Sequence, residues 1–161
     1  MTDKNRALDN AKAWAGSIAE MVAALECDYD RLEELRTMDA NDISAEEGEE
    51  LHELREASTI DGDAIDNAEA ARERITESPL SVQVRSGWAD PGAEMVPEEF
   101  EILLTTGGPA ARIRGELDDY KQPRRAWLEY QDWGTGWMQH FPDNLENADL
   151  LTFCQQFYFG D

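Results

Sequence analysis

Histidine and cysteine are scarce in this chain of 161 residues, two of each, and 14 Lys and Arg face 36 Asp and Glu. Each shortage narrows the chemistry. His52 and His140 are separated in sequence and neither is set beside a nucleophile, so both read as surface or structural histidines rather than general bases. Cys27 and Cys154 fall in different predicted elements without CxxC or Cys/His spacing, which favours free thiols over a disulfide or a zinc site. No apolar run reaches the roughly 18 residues that a spanning helix needs, and MTDKNRALDN lacks the apolar core of a signal peptide, so the cytoplasm is the expected compartment and no membrane association is expected. The shortage of cations leaves a net charge of -22 and a pI near 4.2. Such a chain is repelled by nucleic acid and by anionic lipid, and is attracted to basic surfaces.

What is present is a chain with 41% hydrophobic residues and five tryptophans, enough for a real core. From Leu80 to Trp137 short apolar/polar alternations follow one another, the period-two signature of strands. Val82 and Val84 share one face of the first strand, and Gln83 and Arg85 the other. In Glu99 to Thr106, Phe100, Ile102 and Leu104 face a core. Gly107, Gly108 and Pro109 mark a turn, and Ala110 to Leu117 returns with Ala111, Ile113 and Leu117 inward. A Gly107-Gly108 loop sets Arg114 opposite Glu101, an opposite-charge pair that helps define register. After a turn over Asp118 to Pro123, Arg125 to Trp133 follows with Ala126, Leu128 and Tyr130 inward, then a short strand from Gly136 to Phe141. The expectation is an antiparallel meander of four or five strands.

The first 78 residues read as helical and acidic. Leu8, Ala11, Ala15, Ile18, Val22, Leu25, Tyr29 and Leu32 are spaced three and four apart, flanked by Trp14, Met21 and Leu35. This pattern predicts one long helix from Thr2 to about Met38. Such a helix, roughly 50 Å at 1.5 Å per residue, needs a helical partner in the same chain or in a second copy. Ser44 and Glu47 form a capping box that opens a second helix through Leu51 and Leu54 to about Ala57. IDGDAID interrupts, and Ile65, Ala68, Arg72 and Ile75 predict a third helix ending before Pro79. Leu145, Ala148, Leu151 and Thr152 predict a closing helix within Asn144 to Phe157, and Phe153, Phe157, Tyr158 and Phe159 a docked carboxyl end. The fold class is therefore α+β: an N-terminal helical hairpin (1–78) packed with a four- to five-stranded antiparallel sheet and a C-terminal helix (79–161), together one unit.

Familiar catalytic patterns do not emerge. TTGGPA lies between two strands and reads as a hairpin turn, not a phosphate loop. Asp61, Asp63 and Asp66 resemble the start of a calcium loop, but Gly62 is misplaced and the later bidentate glutamate is missing, so no metal or cofactor is expected. Arg85, Arg112 and Arg114, with Glu101, Trp127, Glu129 and Gln131, share one sheet face that suits a small anion. The preferred reading of that face is a salt-bridged surface covered by the N-terminal helices. Trp133, Gly134 and Trp137 read as core and turn.

Charge is the stronger clue. Glu26 to Glu56 holds 13 acids against Arg31, Arg36 and Arg55, and Glu46, Glu47, Glu49, Glu50, Glu53 and Glu56 wrap most of the second helix. Carboxylates at helical i, i+3 and i+4 stand about 5–6 Å apart, broadly like phosphates on a nucleic-acid strand. A carboxylate-covered hairpin is thus suited to occupy a basic groove built for DNA or RNA, although acidic helix faces more often serve solubility alone.

LSVQVRSGW (Leu80 to Trp88), EEFEILLTTGGPAARIRGEL (Glu98 to Leu117), QDWGT (Gln131 to Thr135) and FYFG (Phe157 to Gly160) are similar to a family of short acidic proteins encoded on bacteriophages, plasmids and other mobile elements of proteobacteria. The resemblance implies no reaction and no catalytic residue. It implies a setting, the bacterial host cell, in which small acidic proteins often act as counter-defence factors of anti-CRISPR or anti-restriction type. The first functional expectation is therefore a non-enzymatic inhibitor that presents Glu46, Glu47, Glu49, Glu50, Glu53 and Glu56 to a basic nucleic-acid-binding protein of bacterial defence. A ligand-binding or enzymatic domain using Arg85, Arg112 and Arg114 is the second, and a structural protein dimerising through its long helix the third.

Overall fold

The computed structural model describes residues 3–140 and 144–160, with side chains from 6 to 140 and from 147 to 160. Thr2 and Phe141, the outer limits of two predicted elements, lie outside the described residues, as does the side chain of Leu145. Helix α1 (Asp3–Glu26) is followed by α2 (Tyr29–Thr37) and α3 (Ala45–Ala57). A two-stranded ribbon, β1 (Thr59–Ile60) with β2 (Asp63–Ala64), leads to α4 (Ala68–Glu77). Five strands then form a meander in the order β3 (Ser81–Ser86), β4 (Pro97–Thr105), β5 (Ala110–Leu117), β6 (Pro123–Gln131) and β7 (Met138–His140). Helix α5 (Asn144–Cys154) closes the chain.

The long N-terminal helix is two helices, which corrects the uninterrupted stripe read from the sequence. Apolar spacing does continue from Leu25 to Tyr29 and Leu32, but Asp28 accepts a hydrogen bond from the Arg31 amide through its carboxylate and starts a new helix. Tyr29 marks the same break, its hydroxyl donating to the Ala24 carbonyl at 2.6 Å. The antiparallel hairpin is therefore α2 with α3, while α1 packs along α4, α5, β5 and β6. Ser44 and Glu47 form the expected capping box at the start of α3.

IDGDAID, read as a break, is a tight hairpin: Asp61 and Gly62 both have positive φ, 52° and 82°, as a two-residue turn requires. Asn67 then caps α4 through its side chain. In the main sheet the register is as the alternation implies. Glu101 pairs with Arg114 and Ile102 with Ile113, and a bulge follows between Leu103 and Thr105.

The core lies between the sheet and the helices. Phe100, Ile102, Leu104, Ala111, Ile113, Ala126 and Leu128 meet Ala11, Ile18, Met21 and Val22 of α1, Ala71 and Ile75 of α4, and Leu150, Phe153 and Cys154 of α5. Residues from both halves of the chain thus share one core, and each large apolar side chain withdrawn from water contributes about 1.5–3 kcal/mol. The closing helix turns a different face inward than expected. Leu150, Phe153 and Cys154 are buried and Ala148 is exposed, because Phe153 fits where the carboxyl end folds back and Phe159 packs 4.7 Å from Phe100, centroid to centroid. Gly115 is where Phe100 crosses β5: a Cβ there would overlap both the Phe100 ring and the Arg125 carbonyl.

Candidate functional site

The α2–α3 hairpin is built mainly by local interactions. On α2, Leu32 and Leu35 are buried, whereas α3 has no fully buried residue. Arg31 joins the two helices: its Nε and Nη2 donate to the two carboxylate oxygens of Glu50 at 2.9 and 3.0 Å, and its Nη1 donates to Glu34 at 3.0 Å. These bonds hold the Glu50 carboxyl below its ordinary value and raise the Arg31 guanidinium further above its own. Beside this fork, the partly buried Cys27 thiol donates to the Leu54 carbonyl at 3.7 Å, and burial with the neighbouring Asp28 charge pushes it up.

The six glutamates assigned from the sequence therefore take different parts. Glu50 is occupied by Arg31, and Glu47 accepts the Ser44 amide within the capping box at 3.1 Å. Glu46, Glu49, Glu53 and Glu56 are exposed. At 3.6 residues per turn their 3-4-3 spacing sets them in one stripe roughly 15 Å long, with Arg55 on another side of the helix. None of the four has a Lys or Arg within salt-bridge distance among the described residues; Glu56 lies 3.3 Å from His52, a pair that is ionic only when the imidazole is protonated. Asp30, Asp39 and Asp42 add exposed carboxylates on the same hairpin. The sequence showed the acidic helix but not which of its carboxylates were already used.

The second candidate is the sheet face turned away from the helices. Contrary to the preferred reading, the N-terminal helices do not cover it: they lie on the opposite face, where Phe100, Ile102, Ile113 and Leu128 give an apolar surface to bury. A face of paired charges offers no comparable gain, since withdrawing ions from water is unfavourable. Arg85, Arg112 and Arg114 do converge, lining with Gln83, Glu99 and Glu101 a hollow of about 290 Å³. Arg112 is held hardest, its side chain only 15% exposed. It donates to Glu129 at 2.7 Å, approaches Glu101 at 3.5 Å, and stacks on Trp137 with its guanidinium 3.9 Å from the ring centre. Trp127 donates to the other oxygen of Glu129 at 3.1 Å. Arg85 pairs with Glu99, whose carboxyl is held below its ordinary value by that hydrogen bond. Arg114, although opposite Glu101 in register, has no carboxylate within salt-bridge distance among the described residues. Trp137 is thus part of this cluster, and Trp133, expected in the core, is 78% exposed and lies over Gly108.

Remaining candidates have local explanations. Asp63 pairs with Arg74 at 3.1 Å, Asp61 donates its amide to Glu20, and no group of three metal-ligating side chains is found among the described residues. His52 is a surface residue of α3, and His140 lies across from Leu128 on β7. Buried Asp132 organises the β6–β7 turn: its carboxylate accepts the Trp133 amide at 2.8 Å, and its own amide donates to Thr135 at 3.1 Å. No described helix is long and apolar enough to cross a membrane. No protein-family model, curated protein or solved structure matches the chain.

Proposed function

We propose that the α2–α3 hairpin is a carboxylate mimic of a nucleic-acid strand, and that the protein is a non-enzymatic inhibitor that occupies the nucleic-acid-binding surface of a basic host protein. The observation that carries this reading is the stripe of Glu46, Glu49, Glu53 and Glu56, exposed and without a Lys or Arg partner among the described residues, on a hairpin braced by Arg31 and Glu50. Bracing matters because a rigid array loses less entropy on binding than a flexible acidic tail. The bacterial counter-defence setting, of anti-CRISPR or anti-restriction type, rests on the resemblance of the strands to proteins of mobile elements.

The test is affinity capture from bacterial lysate with the wild type beside a variant carrying Glu→Gln at positions 46, 49, 53 and 56. The variant leaves Glu47 and Glu50 to hold the hairpin, so its circular dichroism should match the wild type. Basic nucleic-acid-binding proteins retained by the wild type, lost from the variant and released by nucleic acid or added salt are the expected result. Equal retention by both proteins would overturn the reading.

A second reading has one specific observation in its favour, Arg114 in the hollow on the open sheet face with no salt-bridge partner among the described residues. A small carboxylate or phosphate bound there would raise the melting temperature, and Arg114→Ala would abolish the rise. A panel of such anions that gives no shift removes this reading. Arg112 serves the test poorly, since its own pairing with Glu129 makes its loss structural.

A further inference from the structure

The apolar stripe of α1, the surface through which a helical dimer would form, is covered within the chain by α4, α5 and the sheet. The apolar surface left over is at the other end of the sheet. β3 is an edge strand, paired only with β4, and five of its six residues are exposed. Leu80, Val82 and Val84 lie on the face that the helices cover elsewhere, yet they are 59%, 38% and 43% exposed. Trp88, Met95 and Val96, in the loop that follows, are exposed as well. Natural edge strands are usually blunted by charge, proline or a covering element, because an open row of backbone donors and acceptors recruits another strand. Here Pro79 stands just before the strand, and Arg85, its one charge, is already paired with Glu99.

We propose that β3 pairs antiparallel with β3 of a second copy of this chain, about a two-fold axis at Val82, joining the two sheets edge to edge. Charge and pattern both select a second copy. In a chain of net charge -22, residues 78–89 contain no Asp or Glu, so the edge offers nothing to a basic partner and sets no free carboxylate against its own image. Of the three acids on β4, Glu99 is held by Arg85 and Glu101 by Arg112, and Glu98 lies beside Gly87, five residues along from the axis at Val82. The strand also complements itself. With Val82 opposite Val82 of the second copy, Leu80 meets Val84 and Val84 meets Leu80, which makes one apolar strip on one face. On the other face Ser81 meets Gln83, a polar pair. Cross-strand pairs of this kind are what stabilise a sheet, and an interface in which one patch meets itself closes after two copies.

Sedimentation velocity over a rising concentration series tests the idea. The wild type should approach twice the 18.2 kDa chain mass, and Val82→Lys, at an exposed position, should stay at the chain mass with an unchanged circular dichroism spectrum. Register is tested by cysteine cross-linking in a Cys27→Ser background. Oxidised Val82→Cys should give covalent dimers, because directly opposed Cβ atoms lie within disulfide reach. Gln83→Cys, on the other face and opposite Ser81, should not. A wild type that remains at the chain mass at every concentration overturns the proposal. So does a Val82→Lys protein that still dimerises, or cross-linking at position 83 in place of 82.

Discussion

Helices α1 and α3 both belong to the acidic first half of the sequence, yet they are held in place by different forces. Buried area holds α1: Ala7, Ala11, Ile18, Met21, Val22 and Ala24 are withdrawn from water against three other layers. Local bonds hold α3: a capping box at its first turn, an Arg31–Glu50 fork to its neighbour, and half-buried Leu51 and Leu54. Acidity follows the same division. Where a helix must bury a stripe, carboxylates are confined to the remaining surface, and where burial is slight they can cover most of it. Freedom from the core is what makes the α2–α3 hairpin available as a charged recognition surface.

That contrast can be broken from the core side first. Phe153→Ala should lower stability by about 3–5 kcal/mol in denaturant unfolding, the range for deleting a buried aromatic ring, and should disturb α1, α5 and the sheet together. Gly115→Ala should lower it by about 1–3 kcal/mol through overpacking against Phe100. On the hairpin, Ser44→Ala removes one cap and should lower stability by about 1 kcal/mol. Hydrogen exchange should then rise in α3 while α1 and the sheet keep their protection, whereas a loss shared equally by both regions would contradict the division.

Titration sharpens the same comparison at the junction between the two regions. Burial pushes the Tyr29 phenol from 10.0 up to about 12, so the folded state favours the neutral form. The stability this supplies is complete below pH 10 and is lost as pH rises towards about 12. In an ultraviolet titration Tyr29 should ionise late, and Tyr29→Phe should remove that late step. Glu50 has the opposite sign. Its carboxyl is depressed in the folded state, so its contribution is present above its ordinary value of 4.5 and fades as pH falls below it. Acidification should loosen α2 from α3, and Glu50→Gln should abolish that acid-dependent step in hairpin hydrogen exchange, the smallest effect of the set.

Most strands were legible because one face of the sheet is buried, and burial writes period-two alternation into β4, β5 and β6. The Glu101–Arg114 register was legible too, but not for the reason read from the sequence. The connection is longer than a two-residue Gly107-Gly108 loop, with β4 ending at Thr105 and β5 starting at Ala110, and the bulge between Leu103 and Thr105 restores the pairing. The helix break at Cys27 and Asp28 was hidden, since the apolar spacing runs through it and only the capping role of Asp28 interrupts the backbone. The acidic site was half legible. Composition located it, but which glutamates were free depended on Arg31 reaching Glu50 nineteen residues away.

By itself the sequence determined the α+β class, the order of strands, the capping box of α3 and the concentration of acids between Glu26 and Glu56, because each depends on neighbours within a few residues. Tertiary structure decided which sheet face the helices cover, that Arg85, Arg112 and Arg114 line an open hollow, and that the valines of β3 remain exposed. Those outcomes depend on which surfaces compete best for burial. The apolar face of β4 to β6 took the helices, which left the ion-paired face and the β3 edge to solvent.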